Sequence, residues 1–362
     1  MATYYALASA TGTGNAGTQI DPWSPADFHT WYNGSPATGS ICELKDDGSG
    51  FPMTYTYTAG NGSATGQIQI IGVSDWGTPL TPGNYSVIDN GTYELNMGTY
   101  HRWENIEVSG GGSTGYDECA NMNLYCIAMN CRFEGNSLSQ VVSIADYCTC
   151  INCQFYNAGN GGTIWAQDYC HFRNCYFHLT YNHISYGVMR CTTNCNFSHC
   201  IFDHGYEVQP SYDCCFWNCV FYEGYYHGVD PQATNHFLGC IFMGATQRAI
   251  DSTKDCFVDY CHFYNNGSNF STDTPVQGTH NALTGANPLF VDPNNANWRL
   301  RDFSLQASSP CRDAGFPVQS GVGSAGSWHI GAYQETNNQG AWQGEPAEVI
   351  TPDDGTGAIF IT

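Results

Sequence analysis

The sequence contains few charged residues, and positive charge is the scarcest. Of its 362 residues only 12% are charged, and 10 basic residues stand against 32 acidic ones, which gives a formal net charge of −22. Lysine occurs only at Lys45 and Lys254. Such a chain repels the phosphates of DNA and RNA, so the composition argues against nucleic acid as a partner. It favours solubility, and neutral sugars or cations as ligands.

Long apolar runs are lacking as well. No segment approaches the ~20 apolar residues of a membrane-spanning helix, so we expect no membrane insertion. The first residues, Met-Ala-Thr-Tyr-Tyr, lack the basic start and the apolar stretch of a secretory signal peptide. We therefore expect synthesis in a reducing cytoplasm.

A helical period is also absent, and a repeat takes its place. The pattern Cys-x4-Cys-x-Phe recurs with steps of 22, 22, 25, 19, 21 and 21 residues between successive second cysteines. The second cysteine and the phenylalanine are Cys131/Phe133, Cys153/Phe155, Cys175/Phe177, Cys200/Phe202, Cys219/Phe221, Cys240/Phe242 and Cys261/Phe263. The first cysteine is Cys126, Cys148, Cys170, Cys195, Cys214 and Cys256, and Asn235 replaces it once. Self-similarity at a period near 20 residues indicates a solenoid.

Each repeat reads as short strands separated by turns. Apolar and polar residues alternate around both cysteines, as in strands with one buried face. Directly before the second cysteine stand Asn130, Asn152, Asn174 and Asn218, and asparagine tolerates the left-handed conformation of a tight bend. A turn-rich stretch and a third apolar segment follow. Three short strands per coil predict an all-β fold, a single-stranded right-handed parallel β-helix. A leucine-rich repeat would need a leucine ladder, which the sequence lacks.

The cysteines invite a disulfide or metal interpretation, but their spacing favours another. Thirteen of the 19 occupy the two repeated inward positions, where cysteine behaves as a small buried hydrophobe. Side chains of in-register neighbours point in parallel, which does not suit a relaxed disulfide. Cys150-x-x-Cys153 resembles half a zinc site, yet no second pair completes a four-ligand cluster. We expect buried free thiols, no metal and no cofactor.

The chain divides into three predicted parts. Residues 1–40 contain an entry strand and a capping helix, because Ser24-Pro25-Ala26-Asp27 is a helix start and the helix should run to about Tyr32. Residues 41–334 form the β-helix. Residues 335–362 form a linker and two short apolar strands.

The last strand ends in Ile359, Phe360 and Ile361, which cannot bury themselves alone. One interpretation is a docking strand that adds to the sheet edge of a partner protein. The other is that this strand folds back over the last coil as a cap.

The segment after the repeats resembles a known family. The motifs are Asn287-Pro288-Leu289-Phe290-Val291-Asp292-Pro293, Ser309-Pro310-Cys311-Arg312-Asp313-Ala314-Gly315 and His329-Ile330-Gly331-Ala332-Tyr333. They are similar to the C-terminal signature of the right-handed parallel β-helix repeat family of the pectate-lyase-like superfamily, although His329 and Gln334 replace the usual acids. The resemblance implies the fold. It does not imply one function, because the superfamily holds lyases, hydrolases, adhesins and phage tailspikes.

The region 203–230, where the coil length changes, is the candidate site. If the protein is an enzyme, the candidate catalytic carboxylates are Asp203, Glu207, Glu223 and Asp230, because glycoside hydrolysis uses paired acids. His204, Tyr225, Tyr226 and His227 are candidate ligand-binding residues, since aromatic rings stack on sugars. Asp146, Asp168, Asp213 and Asp255 precede the first cysteine of their repeats and are interpreted as turn caps rather than calcium ligands.

Three functional hypotheses follow. The first is a structural or receptor-binding protein on the surface of a bacteriophage virion, glycan-contacting and non-enzymatic, anchored to other virion proteins by its C-terminal extension. The second is a polysaccharide lyase or glycoside hydrolase. The third is a bacterial surface adhesin, for which the location would be extracellular or on the cell surface. A homo-oligomer is compatible with all three.

Overall fold

The structure, a computed structural model, describes residues 2–332 except for residues 13, 35, 49, 53–56, 82, 90–92, 111–117, 136–140, 158–163, 180–187, 252–255, 272–274, 283–284 and 316–328. Within these residues the chain winds into a parallel β-helix of three long sheets. Equivalent strands of successive coils pair in parallel register, as Phe133 does with Phe155 and Phe155 with Phe177. The prediction of an all-β, right-handed parallel β-helix is confirmed.

The three sheets are named A, B and C here. Sheet A contains Thr3–Leu7, Ile41–Lys45, Ile68–Asp75, His101–Glu104, Ile127–Met129, Thr149–Ile151, His171–Arg173, Asn196–Ser198, Cys215–Trp217, His236–Leu238, Phe257–Asp259 and Val276–Gln277, and Thr78–Pro79 pairs with Ile68–Asp75. Sheet B contains Phe51–Pro52, Ser86–Asp89, Ile106–Gly110, Arg132–Gly135, Gln154–Asn157, Tyr176–Leu179, Ile201–Asp203, Val220–Tyr222, Ile241–Met243 and His262–Tyr264. Sheet C contains Tyr57–Thr58, Leu95–Met97, Ala120–Met122, Val142–Ile144, Ile164–Ala166, Met189–Thr193, Val208–Tyr212, His227–Val229, Arg248–Ile250 and Ser268–Phe270.

Stacked phenylalanines fill the interior. The repeat phenylalanines stack face to face from coil to coil, with ring centroids 4.7 Å apart between Phe177 and Phe202 and 4.9 Å apart between Phe202 and Phe221. A second stack, from sheet A, includes Phe197 and Phe216 at 4.6 Å. The like-on-like order follows from parallel register, because each side chain lies above its equivalent one strand spacing away.

The predicted asparagine bends join sheet A to sheet B. Asn130, Asn152 and Asn174 have φ angles of 50°, 54° and 52°, in the left-handed region. Their side chains form a ladder, in which Asn152 Nδ2 donates to Asn130 Oδ1 at 3.1 Å and Asn174 Nδ2 donates to Asn152 Oδ1 at 3.2 Å. The bend is therefore stabilised both by its backbone conformation and by hydrogen bonds between coils.

The repeat cysteines point inward as free thiols. All 19 cysteines lie in the described part of the chain, and only Cys215 is not fully buried. The first cysteine of a repeat donates to a carbonyl of the preceding coil, as from Cys148 Sγ to Asn123 O at 2.9 Å and from Cys170 Sγ to Ala145 O at 3.1 Å. Burial raises the pKa of Cys148 well above the usual value of 9.0, so the thiol keeps its proton and its role as a donor.

A short helix covers the first coils. Helix α1, Pro25–Asn33, begins after the N-cap Ser24, and Ser24 and Asp27 form a reciprocal capping box. The helix buries Phe28 and Tyr32, and the Phe28 ring packs edge-on against Phe51 of sheet B at 5.7 Å. It is too short to cross a membrane, and no other helix in the described residues is long and apolar enough to do so.

The C-terminal segment 288–311, named the clasp here, lies across the outer face of sheet B. It contains the antiparallel strands Phe290–Asp292 and Asp302–Leu305 and the 3₁₀ turn Trp298–Leu300. A second hydrophobic cluster joins the clasp and Ile330 to outward side chains of sheet B; its members include Phe290, Phe303, Leu305, Cys311, Tyr176, Ile201, Val220, Tyr222 and Ile241. Each of the three motifs that resemble the β-helix repeat family contributes a residue, Phe290, Cys311 or Ile330, to the cluster that covers this face of the solenoid.

The predicted docking strand cannot be placed. Ile359, Phe360 and Ile361 lie outside the described residues, as does all of the segment 335–362.

Candidate functional site

The predicted site residues separate into two groups, and the first surrounds Asp203. Asp203 ends the sheet B strand Ile201–Asp203 and is fully buried. Nη1 of Arg301, from the clasp, donates to its two carboxylate oxygens at 2.6 and 2.7 Å. His178 Nδ1 donates to Oδ2 at 2.9 Å, and the Tyr176 hydroxyl donates to the same oxygen. Every contact of this carboxylate is therefore with the protein itself.

His204 links the buried Asp203 to Glu223, which lies closer to the surface. Its Nδ1 donates to Asp203 Oδ1 at 2.6 Å, and its Nε2 lies 3.1 Å from Glu223 Oε2. Burial lowers the pKa of His204, but the hydrogen bonds to Asp203 and Glu223 outweigh burial and raise it to about 9. Burial would likewise raise the pKa of Asp203, yet His178 and His204 hold it well below its usual value. At neutral pH the group is thus a fixed ion pair, without a free base.

The same group does not fit a metal ion. His178, Asp203 and His204 place ligand atoms within 4.8 Å of one another, which is close enough for one cation. Arg301 already occupies both oxygens of Asp203, however, and its guanidinium would repel a cation there. The arrangement is that of an internal salt bridge.

The second group lies on the outer face of sheet C. Parallel register aligns Ser143 with Trp165, Trp165 with Arg190 and Arg190 with Gln209. Asp230 and Asp251 follow directly after the strands His227–Val229 and Arg248–Ile250 and continue the same row. We call Trp165, Arg190, Gln209, Asp230 and Asp251 the sheet C row. Trp165 is 48% exposed, so the row begins with an open aromatic face.

Polar contacts between side chains fix most of the row. Arg190 Nε donates to Gln209 Oε1 at 2.7 Å, and Gln209 Nε2 donates to Glu207 Oε1. His227 Nδ1 donates to Glu207 Oε2 at 3.0 Å, and its Nε2 lies 3.2 Å from Asp251 Oδ2. The chain of contacts ends at Arg248, whose Nη1 donates to Asp251 Oδ1 at 2.7 Å. These paired side chains are pre-positioned before any ligand arrives.

Asp230 is the exception within the network. Its carboxylate has no hydrogen-bond donor within the described part of the chain. Burial, together with the charges of Glu207 and Asp251, raises its pKa to about 6. Asp230 is therefore a partly exposed carboxyl group that can accept or donate a hydrogen bond near neutral pH.

Replacing Asp230 with asparagine is expected to stabilise the protein at pH 8 by about 1 kcal/mol, after allowance for solvent screening. The folded-state pKa of about 6 exceeds the usual 3.8, so ionisation in the folded state costs stability as the pH rises through this range. The gain should vanish at pH 3.5, below both pKa values. Urea unfolding at the two pH values measures it.

Asp251→Asn is the matched control, because Asp251 lies one coil away but is paired with Arg248 and His227. It should lower the stability at pH 8. An equal loss in both variants would show that Asp230 is paired in a way that the structure does not indicate.

The two groups meet at a shallow cleft. Its lining includes His204, Glu207, Tyr222 and His227, and its volume is about 190 Å³ including the open solvent at its mouth. Pockets that enclose drug-sized ligands measure roughly 300–1,000 Å³, so this cleft is too small to enclose a sugar chain. A polymeric ligand would instead lie along the open face of the sheet.

The structure brings some of the predicted site residues together and separates others. Glu207, His227 and Asp230 come together on sheet C, whereas Asp203, His204 and Glu223 form the separate ion-paired group. Tyr225 is 46% exposed, and Tyr226 stacks on Tyr206 with ring centroids 5.0 Å apart. The sequence-based reasoning missed Trp165, Arg190, Gln209, Asp251 and Arg301. Steps of 25, 19, 21 and 21 residues separate the members of the sheet C row, and the same steps separate Cys175, Cys200, Cys219, Cys240 and Cys261, so the repeat frame contained the row.

Three of the four aspartates that were predicted to cap turns, Asp146, Asp168 and Asp213, lie in the described residues. Asp146 Oδ1 accepts from the backbone N of Asp168 at 3.0 Å, and Asp168 Oδ1 accepts from the backbone N of Thr193 at 3.0 Å. Each carboxylate thus caps the turn of the next coil, as predicted. Asp213 is itself the left-handed turn residue, with φ 51°. Asp255 lies outside the described residues.

Comparisons with known proteins bear on the fold. No protein-family model and no curated protein sequence matches the chain. Among solved structures, pectate lyase Pel9A is similar with a TM-score of 0.57 and 13% identity, over 92% of this chain and 96% of that one. A rhamnogalacturonan lyase gives 0.54 and 11%, over 82% and 92%, and the PL6 family alginate lyase AlyGC gives 0.51 and 13%, over 75% and 40%. The chain therefore has the pectate-lyase-like parallel β-helix fold.

Proposed function

We propose that this protein binds a glycan along the outer face of sheet C without cleaving it. The observation that carries the proposal is the sheet C row, an exposed tryptophan followed in register by four hydrogen-bonding side chains. At a strand spacing of ~4.8 Å, five coils present these groups over roughly 20 Å of a rigid rod. An aromatic platform beside pre-positioned polar groups suits a sugar chain, whose rings have an apolar face and hydroxyls at the rim.

The sign of the charge favours a neutral glycan. Three carboxylates, Glu207, Asp230 and Asp251, stand against two guanidinium groups, Arg190 and Arg248. An acidic polysaccharide would approach a surface with an excess of negative charge, on a chain whose net charge is −22. A neutral glycan meets no such repulsion and can use the same carboxylates as hydrogen-bond acceptors.

Polysaccharide cleavage is the alternative, and the three lyase structures of the same fold support it. At so low an identity they share the fold with this chain, and fold alone does not assign an activity. The surroundings of the candidate catalytic carboxylates argue against cleavage. Asp203 is fully buried, Glu207 is nearly so, and both are held by protein partners. Asp230, with its pKa near 6, is the carboxyl group best placed to act as a proton donor if cleavage occurs.

The test begins with a panel of neutral and acidic bacterial surface polysaccharides. Trp165→Ala is expected to weaken binding of the recognised neutral glycan at least about tenfold, because truncating a tryptophan that anchors a ligand commonly costs about 2 kcal/mol or more. The matched control is Trp217→Ala on the outer face of sheet A, where the side chain is 44% exposed. The control should leave binding unchanged.

Equal effects of the two variants would contradict the assignment of the site to sheet C. The same samples, incubated with and without Ca²⁺, are analysed for shortened chains and for unsaturated ends. If the wild-type protein shortens a polysaccharide and Asp230→Asn abolishes this activity, the function is catalysis rather than binding.

Location on a bacteriophage virion remains a prediction. Its predicted anchoring residues, Ile359, Phe360 and Ile361, lie outside the described residues, and the three similar structures named above are polysaccharide lyases. Glycan binding on sheet C is compatible with a receptor-binding virion protein and with an adhesin alike.

A further inference from the structure

Three thiols form a cluster in the solenoid interior, on the opposite side of sheet C from the sheet C row. The sulfur atoms of Cys191, Cys195 and Cys214 all lie within 4.8 Å of one another, and Cys191 Sγ and Cys214 Sγ are 3.7 Å apart. All three side chains are buried. Within the described residues this is the one group of three thiols that close together.

Cys191 departs from the pattern that places the other two. Cys195 and Cys214 occupy the first-cysteine position of successive repeats, whereas Cys191 lies on sheet C. In register with Cys191 stand Ala166 in the preceding coil and Pro210 in the next. In these two neighbouring coils the equivalent interior position is thus filled by a residue without a sulfur atom. The other cluster thiols contact carbonyls, such as Gln167 O at 3.0 Å from Cys195 Sγ, but the hydrogen-bond contact of Cys191 is with the sulfur of Cys214.

The spacing of the sulfurs fits a three-coordinate metal ion. With metal–sulfur distances of about 2.3 Å, three sulfurs in a plane around one ion lie about 4.0 Å apart. The observed separations, from 3.7 Å to at most 4.8 Å, need only small side-chain shifts to reach this value. The group offers no nitrogen or oxygen ligand, and zinc sites normally have four ligands. Thiolates select Cu(I), zinc and iron–sulfur clusters, and of these Cu(I) accepts a planar set of three sulfurs, whereas zinc sites and iron–sulfur clusters take four protein ligands.

We propose that Cys191, Cys195 and Cys214 form a Cu(I)-binding site inside the solenoid. Each thiol that coordinates releases its proton to solvent, so binding is a metal-for-proton exchange without any change of oxidation state. The three thiols are buried away from solvent, so the metal must displace their protons as it binds. Because the folded interior is closed, the ion enters while the coils form. The site is independent of the proposed glycan site.

The test loads the full-length chain with Cu(I) under anaerobic, reducing conditions during refolding, and then removes loose metal with bathocuproine disulfonate. The wild-type protein should retain one copper with sulfur-only ligands by X-ray absorption. Cys191→Ala should bind it at least about 100-fold more weakly, since even an outer-shell partner is worth 10–100-fold. The variant should fold, because Ala166 occupies the equivalent position one coil earlier.

Cys150→Ala is the matched control. It removes another buried thiol, and alanine already occupies the equivalent position of the preceding coil, at Ala128. It should retain copper like the wild type. Cys195→Ala removes a different ligand and serves if Cys191→Ala fails to give the native circular dichroism spectrum. Equal copper in the wild type, the control and the ligand variants, or none in the wild type, would overturn the proposal.

Discussion

Replacing Arg301 with alanine is expected to lower the free energy of unfolding by about 3 kcal/mol. Arg301 Nη1 contacts both oxygens of Asp203, which is fully buried, and its removal leaves a carboxylate inside the protein without its main positive partner. We expect the lower end of the usual ~3–5 kcal/mol range for a broken buried pair, because His204 stays protonated beside Asp203. Urea unfolding at pH 7 measures the loss.

Arg299→Ala provides the control two residues away. Arg299 pairs with Glu134 at the surface, where the two side chains are 41% and 27% exposed. Such pairs contribute about 0–1 kcal/mol, so this variant should unfold close to the wild type. If Arg301→Ala destabilised the protein as little as Arg299→Ala, the clasp would be held by its apolar contacts, and the Asp203 group would add little.

Phe202→Ala should cost about 3–5 kcal/mol, the largest effect we expect from an interior substitution. The Phe202 ring stacks on Phe177 and on Phe221, and it packs edge-on against Phe197 at 5.8 Å. The backbone of the neighbouring coils is fixed by parallel register, so the solenoid cannot collapse into the cavity. Chemical denaturation followed by circular dichroism gives the midpoint and the slope.

Trp217→Ala again serves as the comparison, because its side chain is large but 44% exposed on sheet A. It should cost about 1 kcal/mol, clearly less than the loss of the buried phenylalanine. If Phe202→Ala were as mild, the phenylalanine stack would not be the main stabilising element of the interior.

The repeat alone was sufficient to predict the fold. A cysteine and a phenylalanine at regular steps predicted the inward face and the asparagine bends of seven successive coils, because parallel register imposes the same environment on each equivalent position. The capping helix was also predictable, since the signal from Ser24 to Asp27 is local and only four residues long.

The site was only partly predictable, for two different reasons. Arg301 is 98 residues from Asp203 in the chain, and nothing periodic links the clasp to the strand that it covers. The sheet C row, by contrast, follows the cysteine steps, but its members are a tryptophan, an arginine, a glutamine and two aspartates. A repeat search that compares residue types does not align such different side chains, although their positions on the coil are equivalent.

Oxidative footprinting of tryptophan side chains in the unmodified protein, with and without a saturating neutral glycan from the panel, tests the location of the binding surface most directly. We expect the glycan to protect Trp165, while Trp217, similarly open on sheet A, is oxidised at the same rate in both samples. Protection of Trp217 with Trp165 unchanged, or no protection of either, would contradict the claim that the outer face of sheet C is the ligand-binding surface.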